Sequence, residues 1–416
     1  MRYFFILGRN PTLSSAELVA VIKKTDPDFI ILEASGDVLL IETKNKLEIK
    51  EMIKILGGTI KAGVVMEETG RLEKENIFKI LEESIKKAES GKIFFGFSLY
   101  NLENRDRKNF SETKKQTSSL AMEAKKFLKE KNFSSRWVTF KEDNLSSVIV
   151  AKNKLLEENG AEIAILVKND QVFLGKTLAV QGFEELGFRD FGRPKRNMQV
   201  GLLPPKLAQI MINLSEVKDD GVILDPFCGF GTVLGEAMIA GYTNLIGSDI
   251  NEEVLAGAKE NLDWLEKNYQ LPTINYQLIK SDVRHIFGKV EEGSVGAIVT
   301  EPYLGPLLHG NEPKENILEI VKELSMLYLD AFREFKKVLK PSGKIVILFP
   351  IFVFQNEEIF LPIMEEIKKV GFEAVNLLSK ELENKDFIKI TPRQSIIYSR
   401  PGQKVLREVV VFKAIG

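Results

Sequence analysis

The sequence predicts an α/β protein with a mostly parallel, doubly wound sheet in its C-terminal half and smaller α+β domains before it. From Pro205 onward, short apolar runs alternate with helical patterns, which is the order typical of a parallel sheet. Before residue 182, strands and helices come in two mixed groups instead. The chain has 416 residues, too many for one ordinary core, so we expect two or three domains.

The domain boundaries are predicted where the composition changes. A stretch rich in glycine and arginine precedes the C-terminal half and is typical of a linker. We expect a first α+β domain at 1–68, a second at 69–182, a basic linker at 183–200 and the α/β domain at 201–416.

The elements follow in order. In the first domain, a helix is expected to begin at Ser14 or Ser15, because the acid Glu17 follows as in a capping box. In the second domain, the last helix is expected over 146–159. In the α/β domain, a helix is expected over 358–371. That domain has seven predicted strands, "GVILDPF", "NLIGSDI", "INYQLIKSD", "VGAIVTEPY", "GKIVILFP", "SIIYSR" and "LREVVVFKA", of which the last two form an antiparallel hairpin.

Composition excludes several classes of protein. Hydrophobic content of 44% and charged content of 28% indicate a folded chain, and no apolar run is long enough to span a membrane. The single cysteine, Cys228, excludes a disulfide framework and predicts a cytoplasmic location. With it, the two histidines, His285 and His309, give no pattern for a zinc site, so we expect no metal.

Charge is unevenly distributed although the net charge is −1. Residues 103–154 hold 13 basic and 7 acidic residues, and residues 189–206 hold 5 basic and 1 acidic. Such patches attract phosphates, and they are equally compatible with an ordinary lysine-rich surface.

Polar groups stand at the ends of four consecutive predicted strands. Asp225, Asp249 and Asp282 end the first three, and the fourth ends in Thr300 followed by Glu301-Pro302-Tyr303. Because ligands of open α/β sheets bind at the carboxyl ends of the strands, we expect these groups to share one site.

A glycine turn, Gly229-Phe230-Gly231, follows the first strand and lets the backbone approach a ligand closely. It does not match the dinucleotide fingerprint, whose third glycine would fall at Leu234. The acid Asp225 just before the turn suits a cationic ligand such as S-adenosylmethionine. Asp249 is then placed to accept from the ribose hydroxyls and Asp282 to lie near the adenine amine. The other residues expected at this cofactor site are Phe227, Thr232, Ile250 and Val283.

Each acid also has a purely structural interpretation. Asp249 could cap a helix beginning at Glu252, and Asp282 could cap a turn at Val283. Cys228, inside the turn, is better explained as a small packing residue than as a nucleophile.

The motifs together resemble a known family. "LDPFCGFGT" with an acid-Pro-Tyr motif resembles class I methyltransferases that modify exocyclic amines. The segments "YFFILGRNPTLSSAEL", "GFRDFGRPKRNMQVGLLPPKLAQIMINL" and "LREVVVFKA" are similar to those of THUMP-domain tRNA guanine-N2 methyltransferases.

The resemblance implies a Rossmann-like class I methyltransferase domain, with a mostly parallel seven-stranded sheet, preceded by ferredoxin-like and THUMP-like domains. It implies S-adenosylmethionine as cofactor and tRNA as substrate, and it leaves open a need for a small activator subunit. The linker residues Arg193, Lys195 and Arg196 are expected to contact RNA.

The chain departs from the family's Asp-Pro-Pro-Tyr pattern. Aligned on the tyrosine, Thr300 occupies the usual acid position and the acid, Glu301, has moved by one residue. Either the Thr300 hydroxyl accepts the substrate amine while Glu301 turns elsewhere, as towards an arginine, or the Glu301 carboxylate accepts it. We favour Glu301, with Pro302 presenting a carbonyl and Tyr303 stacking on the flipped base.

Two other functions remain open at this point. One is an N6-adenine DNA methyltransferase, whose motif also combines an acid or asparagine with proline and tyrosine. The other is a tRNA-binding protein with a degenerate active site, which the displaced acid would explain.

Overall fold

The computed structural model describes residues 1–87, 91–103, 107–169, 171–196, 202–272, 274–400 and 402–415. The chain divides into two compact units. Unit 1 comprises Met1–Leu18, Ile22–Phe183 and Ser379–Ile388, and unit 2 comprises Val19–Val21, Glu184–Leu378 and Lys389–Gly416. Residues 197–200 of the predicted linker lie outside the described residues. None of the described helices is long and apolar enough to cross a membrane.

Unit 1 is built on one eight-stranded sheet. Its elements are β1 (Arg2–Leu7), α1 (Pro11–Thr25), β2 (Ile30–Ala34), β3 (Val38–Glu42), α2 (Ile49–Ile55), β4 (Thr59–Thr69), α3 (Lys74–Lys87), β5 (Lys92–Asn101), α4 (Arg107–Glu130), β6 (Ser134–Val138), α5 (Ser147–Lys152), β7 (Gly160–Lys168) and β8 (Gln171–Val180). The strand order is β2-β3-β1-β4-β8-β7-β5-β6. The two predicted N-terminal domains therefore contribute to a single sheet, in which β4 pairs antiparallel with β8. The boundary between residues 68 and 69 stays a prediction.

The first helix begins earlier than predicted. Helix α1 starts at Pro11, and the Asn10 side chain caps it by accepting a hydrogen bond from a first-turn amide. Asparagine at the N-cap followed by proline is a stronger start signal than the predicted start at Ser14 or Ser15, which is wrong. Glu17 is buried and accepts from two loop amides instead of capping the helix.

Unit 2 contains the predicted mostly parallel sheet. Its elements, in chain order, are α6 (Phe183–Phe191), α7 (Pro205–Leu214), β9 (Val222–Asp225), α8 (Thr232–Ile239), β10 (Asn244–Asp249), α9 (Glu252–Tyr269), β11 (Asn275–Lys280), a 3-10 helix (Val283–Gly288), β12 (Val295–Thr300), α10 (Lys314–Val338), β13 (Leu339–Phe354), β14 (Glu357–Phe360), α11 (Met364–Val370), β15 (Phe372–Ala374), α12 (Lys380–Glu383, grouped with unit 1), β16 (Ile396–Tyr398) and β17 (Val405–Ala414).

The nine-stranded sheet runs β11-β10-β9-β12-β13-β17-β15, with β14 paired to β13 and β16 to β17. Strands β9 to β13 are parallel, whereas β17 is antiparallel to β13 and forms the predicted terminal hairpin with β16. This confirms the Rossmann-like α/β fold class. Helix α10 packs on the sheet through Tyr328, Phe332 and Phe335, all fully buried.

Three local predictions need correction. The first half of the predicted linker is helical, as α6. The helix expected over 146–159 is reduced to α5, because the chain turns at Lys154 with φ of 61°. The helix expected over 358–371 is replaced by β14 and α11, because Gln355 and Asn356, at φ of 47° and 69°, turn the chain back along β13.

The sheet topology fixes where the predicted site residues lie. Since β9 to β12 are parallel neighbours, their carboxyl ends share one edge of the sheet. The crossover order places β9 between β10 and β12, so the glycine turn after β9 is flanked by the ends of both.

Candidate active site

A cavity of about 540 Å³ opens at this edge of the sheet. Four carboxylates line it, those of Asp225, Asp249, Asp282 and Glu301, together with one basic side chain, Arg284. The other predicted site residues that line it are Phe227, Gly229, Thr232, Ile250, Val283, Pro302 and Tyr303. A wall this acidic favours a ligand that carries positive charge over one rich in phosphate.

The glycine turn leaves the cavity open on one side. Gly229 and Gly231 have φ of 51° and 80°, values that glycine adopts without strain. A Cβ built on Gly229 would meet no atom within 4 Å, so the space in front of it is free for a ligand. Gly231 does not line the cavity; it is the N-cap of α8 and closes the turn by donating to the Cys228 carbonyl over 2.8 Å.

Asp249 ends β10 and holds the turn in place. Its Oδ2 accepts from the Gly229 amide at 3.2 Å, and its Oδ1 accepts from the Asn251 amide at 2.9 Å. The cap of α9 is Asn251, whose side chain accepts from two first-turn amides, so the interpretation of Asp249 as a helix cap is wrong.

Asp282 serves two purposes. It caps the 3-10 helix, as its structural interpretation expected, by accepting from the Arg284 amide at 2.9 Å. It also lines the cavity and pairs with the Arg284 guanidinium at 2.5 Å. Hydrogen bonds from Arg284 lower the pKa of Asp282, so the carboxylate stays ionised beside the cavity.

Asp225 lies beneath the turn and is nearly inaccessible, with 2% of its surface exposed. Its Oδ1 accepts from the Thr300 hydroxyl at 2.7 Å and from the Phe227 amide at 3.2 Å. Burial raises the pKa of Asp225 to about 7, although both hydrogen bonds oppose the shift. A cation bound nearby would favour the ionised form.

The motif Thr300-Glu301-Pro302-Tyr303 combines features of the two arrangements expected for it, in which either Thr300 or Glu301 accepts the amine. Thr300 is the last residue of β12, is fully buried, and uses its hydroxyl on Asp225, so it does not line the cavity. Glu301 follows directly and lines the cavity, while its Oε1 accepts from the Arg407 Nε at 2.5 Å. Burial raises the pKa of Glu301, and the positive charge of Arg407 opposes the shift.

Tyr303 is the exposed aromatic of the site. Its side chain is 52% exposed and lines the cavity, which is the position that stacking on a base requires. Its carbonyl accepts from the buried Tyr328 hydroxyl at 2.7 Å, which fixes the backbone of the motif against α10.

The three linker residues differ in accessibility. Arg193 is 8% exposed and its Nη1 donates to the Thr232 hydroxyl at 2.6 Å, so its guanidinium lies inside unit 2 and is not offered to RNA. Lys195 is tied to α9 through its backbone, which exchanges hydrogen bonds with Asn261, while its ammonium stays about half exposed. Arg196 packs its guanidinium over the Phe191 ring, 5.0 Å from the centroid.

Cys228 is buried in the turn, and burial raises the pKa of its thiol well above the ordinary value. A protonated thiol is a poor nucleophile, in agreement with the packing role expected for it.

Arg407 is the site residue that the sequence analysis missed. It lies in β17 and reaches the cavity wall from a strand 106 residues away in sequence from Glu301. A signal was present, because Arg407-Glu408 precedes the apolar run of the last predicted strand and places two charges within that strand.

Comparisons with known proteins fit this geometry. A family model described as "RMKL-like, methyltransferase domain" matches residues 193–380, and one described as "DNA methylase" matches residues 66–260. The tRNA (guanine(10)-N2)-dimethyltransferase of Methanothermobacter thermautotrophicus is 36% identical over 152 residues, which cover 36% of this chain and 41% of that protein. The chain thus spans less than half the length of that relative.

Two further proteins complete the comparison. TrmN from Thermus thermophilus superposes over 100% of both chains with a TM-score of 0.53 at 17% identity, which shows a shared fold. A protein of Methanothermococcus thermolithotrophicus named "Probable tRNA (guanine(10)-N2)-dimethyltransferase" is 36% identical over 122 residues, covering 29% of this chain and 70% of that protein. The chain therefore belongs to the tRNA (guanine-N2)-methyltransferase family.

Proposed function

We propose that this chain is an S-adenosylmethionine-dependent RNA methyltransferase that modifies the exocyclic N2 amine of a guanosine in tRNA. One observation carries the proposal: a single cavity is lined both by the glycine turn with Asp249 and by Glu301-Pro302-Tyr303. The first set suits a nucleoside cofactor, and the second suits an exocyclic amine.

The residues of the cavity fit S-adenosylmethionine. When bound, this cofactor supplies a methyl group from a sulfonium, whose sulfur keeps the electron pair of the broken C–S bond. The cavity carboxylates complement its positive charges, and the open space at Gly229 lets the backbone approach it. Asp249 would hold the ribose hydroxyls and Asp282 would lie near the adenine amine.

The chain's own residues activate the amine by position and charge. An exocyclic amine is a weak nucleophile, because its lone pair is delocalised into the ring. In the proposed arrangement, Glu301 accepts a hydrogen bond from an N–H group of the amine, which turns the nitrogen lone pair towards the methyl group, and Pro302 adds a carbonyl acceptor. Positive charge develops on nitrogen as the N–C bond forms, and the amine proton passes to the Glu301 carboxylate and then to solvent. Tyr303 stacks on the flipped base.

The substrate assignment rests on the relatives and on charge. The M. thermautotrophicus relative is named as a tRNA methyltransferase. Within unit 1, α4 carries exposed lysines such as Lys125 and Lys126, and within unit 2 the linker offers Lys195 and Arg196. We propose that the second part of unit 1 is a THUMP-like RNA-binding domain that follows a ferredoxin-like one. The single cysteine, Cys228, supports a cytoplasmic location for this enzyme.

A second candidate is an N6-adenine DNA methyltransferase, which the match to the DNA methylase model favours. That match ends at residue 260, before the motif that would bind the target base. The relatives named for guanine-N2 chemistry weigh against it.

Binding and transfer, measured separately, test the proposal. Calorimetry should show S-adenosylmethionine binding in the micromolar range, roughly −8 kcal/mol. Labelled methyl groups should then pass to bulk tRNA and not to duplex DNA of similar length. Transfer to DNA would favour the second candidate, and binding of both ligands without transfer would favour a tRNA-binding protein with a degenerate site.

A further inference from the structure

The ion pair between Glu301 and Arg407 joins the cavity wall to β17. Arg407 Nε donates to Glu301 Oε1 over 2.5 Å, and the two side chains are 11% and 14% exposed. Glu301 is the residue through which the pair reaches the cavity. Removing two charges from water in this way costs free energy unless further hydrogen bonds satisfy them.

The pair retains unused hydrogen-bonding capacity. A carboxylate has two acceptor oxygens and a guanidinium has five N–H donors, and the bond between them uses one oxygen and one N–H. Among the described residues, no polar atom of Glu301 or Arg407 is sealed from solvent without a partner. The acceptor Oε2 and the donors Nη1 and Nη2 therefore keep contact with solvent and make no further hydrogen bond to a described residue. Glu301 lines the cavity, and Arg407 lies directly against it through the ion pair.

An acceptor on Glu301 next to donors on Arg407 matches the Watson–Crick edge of one base. The Watson–Crick edge of guanine presents two neighbouring donors, N2–H and N1–H, followed by an acceptor, O6. Adenine presents a donor, N6–H, followed by the acceptor N1, and has no second donor. A carboxylate beside a guanidinium is therefore complementary to guanine. The same pair would be unfavourable for adenine, because a carboxylate oxygen would face the acceptor N1.

We propose that Arg407 is a specificity residue which, with Glu301, reads the Watson–Crick edge of the target base. Glu301 accepts from the N–H groups of guanine, and the terminal nitrogens of Arg407 donate to O6. Arg407 also holds the longer glutamate side chain at the position from which Oε2 meets the amine. The inference rests on the proposed function, because it concerns the base that this site methylates.

Arginine is required for this role, since lysine cannot make both contacts. The fork of a guanidinium can bond Glu301 through Nε and the base through Nη, whereas an ammonium is a single point donor. Arg407→Lys keeps the charge that holds Glu301 ionised and removes the donors to O6. Arg333→Lys, on the exposed surface of α10, is a matched control.

The test compares three proteins, wild type, Arg407→Lys and the control Arg333→Lys, on two substrates. Nucleoside mass spectrometry first locates the modified guanosine, and a tRNA is then made with 2-aminopurine at that position. This base keeps the N2 amine and lacks O6 and N1–H. Single-turnover methyl transfer is measured for all three proteins on both tRNAs, with S-adenosylmethionine affinity and thermal unfolding as checks of the fold.

We expect wild type to prefer guanine by about 10- to 100-fold, the scale of a charged hydrogen bond. Arg407→Lys should lose the part of that preference that comes from O6 and keep the part that comes from Glu301 and N1–H, whereas Arg333→Lys should keep both parts. An unchanged preference in Arg407→Lys would overturn the proposal. If that variant does not fold, wild type alone gives the test, and equal rates of wild type on both tRNAs would overturn the proposal. If wild type methylates no guanosine at all, the proposed function fails instead.

Discussion

Two of the buried arginine–glutamate pairs among the described residues of unit 2 differ in how completely their hydrogen bonds are satisfied. Arg189 bonds both oxygens of Glu236, with Nε–Oε1 at 2.7 Å and Nη2–Oε2 at 3.0 Å, and the side chains are 5% and 3% exposed. Arg407 bonds one oxygen of Glu301, and the side chains are 11% and 14% exposed. The first pair is closed, and the second is open towards the cavity.

The difference separates a structural pair from the pair that we propose to be functional. In the closed pair, α6 is fixed to α8 by two parallel bonds, the strongest geometry that arginine makes with a carboxylate. In the open pair, Glu301 lines the cavity that holds the candidate cofactor site. In our proposal, the same two residue types anchor a helix in one place and receive a substrate in the other.

Breaking the closed pair should have the largest effect, on stability. Arg189→Met leaves the Glu236 carboxylate buried without its partner, and we expect the free energy of unfolding to fall by about 3–5 kcal/mol in urea titrations. The double variant Arg189→Met, Glu236→Leu should recover most of that loss. A loss below about 1 kcal/mol in the single variant would show that the pair is not the anchor of α6.

Glu301→Gln, in the open pair, should act on the rate instead. It removes the charge that stabilises the developing cation, so kcat should fall by about 10²- to 10³-fold while both ligands still bind. Glu236→Gln is the matched control, with a stability loss and a smaller effect on single-turnover transfer. If Thr300→Val is crippled while Glu301→Gln is nearly normal, the amine acceptor has been assigned to the wrong residue.

The cofactor side of the cavity should respond separately from the open pair. Asp249→Ala should weaken S-adenosylmethionine binding by about 1.5–3 kcal/mol in calorimetry, because it removes a charged acceptor of the ribose hydroxyls. Glu253→Ala, at the exposed start of α9, should leave the affinity unchanged. An unaltered affinity in Asp249→Ala would remove this residue from the site.

The smallest effect, on tRNA affinity, is expected at the linker residues that follow Arg189 of the closed pair. Replacing Lys195 and Arg196 by alanine should weaken tRNA binding and reduce its salt dependence by a slope of about 1 for each charge that contacts phosphate. Arg193→Ala should lower the melting temperature instead, because its guanidinium is buried against Thr232. Unchanged filter binding at several salt concentrations would place the RNA surface elsewhere.

The sequence was sufficient to predict the sheet and the edge of the sheet at which the cavity opens. Alternating apolar runs predicted the parallel strands, and the acids that follow them predicted the cavity edge, because both signals are local. The start of α1 was predicted wrongly because the serines near Glu17 imitate a capping box, whereas Asn10 provides the cap.

The long-range contacts could not be predicted in this way. The hydrogen bond from Thr300 to Asp225 joins residues 75 apart, and the pair of Glu301 with Arg407 joins residues 106 apart. Both depend on the register of neighbouring strands, which apolar periodicity does not determine. The same holds for Arg193, whose burial depends on the packing of the linker against α8.

Mass spectrometry of nucleosides is the most direct test of the claim that this cavity methylates a guanine amine. tRNA would be incubated with the purified full chain and S-adenosylmethionine labelled in the methyl group, then digested to nucleosides. We predict labelled N2-methylated guanosine in the wild-type sample and its near absence with Glu301→Gln. Label in N6-methyladenosine, or no labelled nucleoside from a protein that binds both ligands, would contradict the claim.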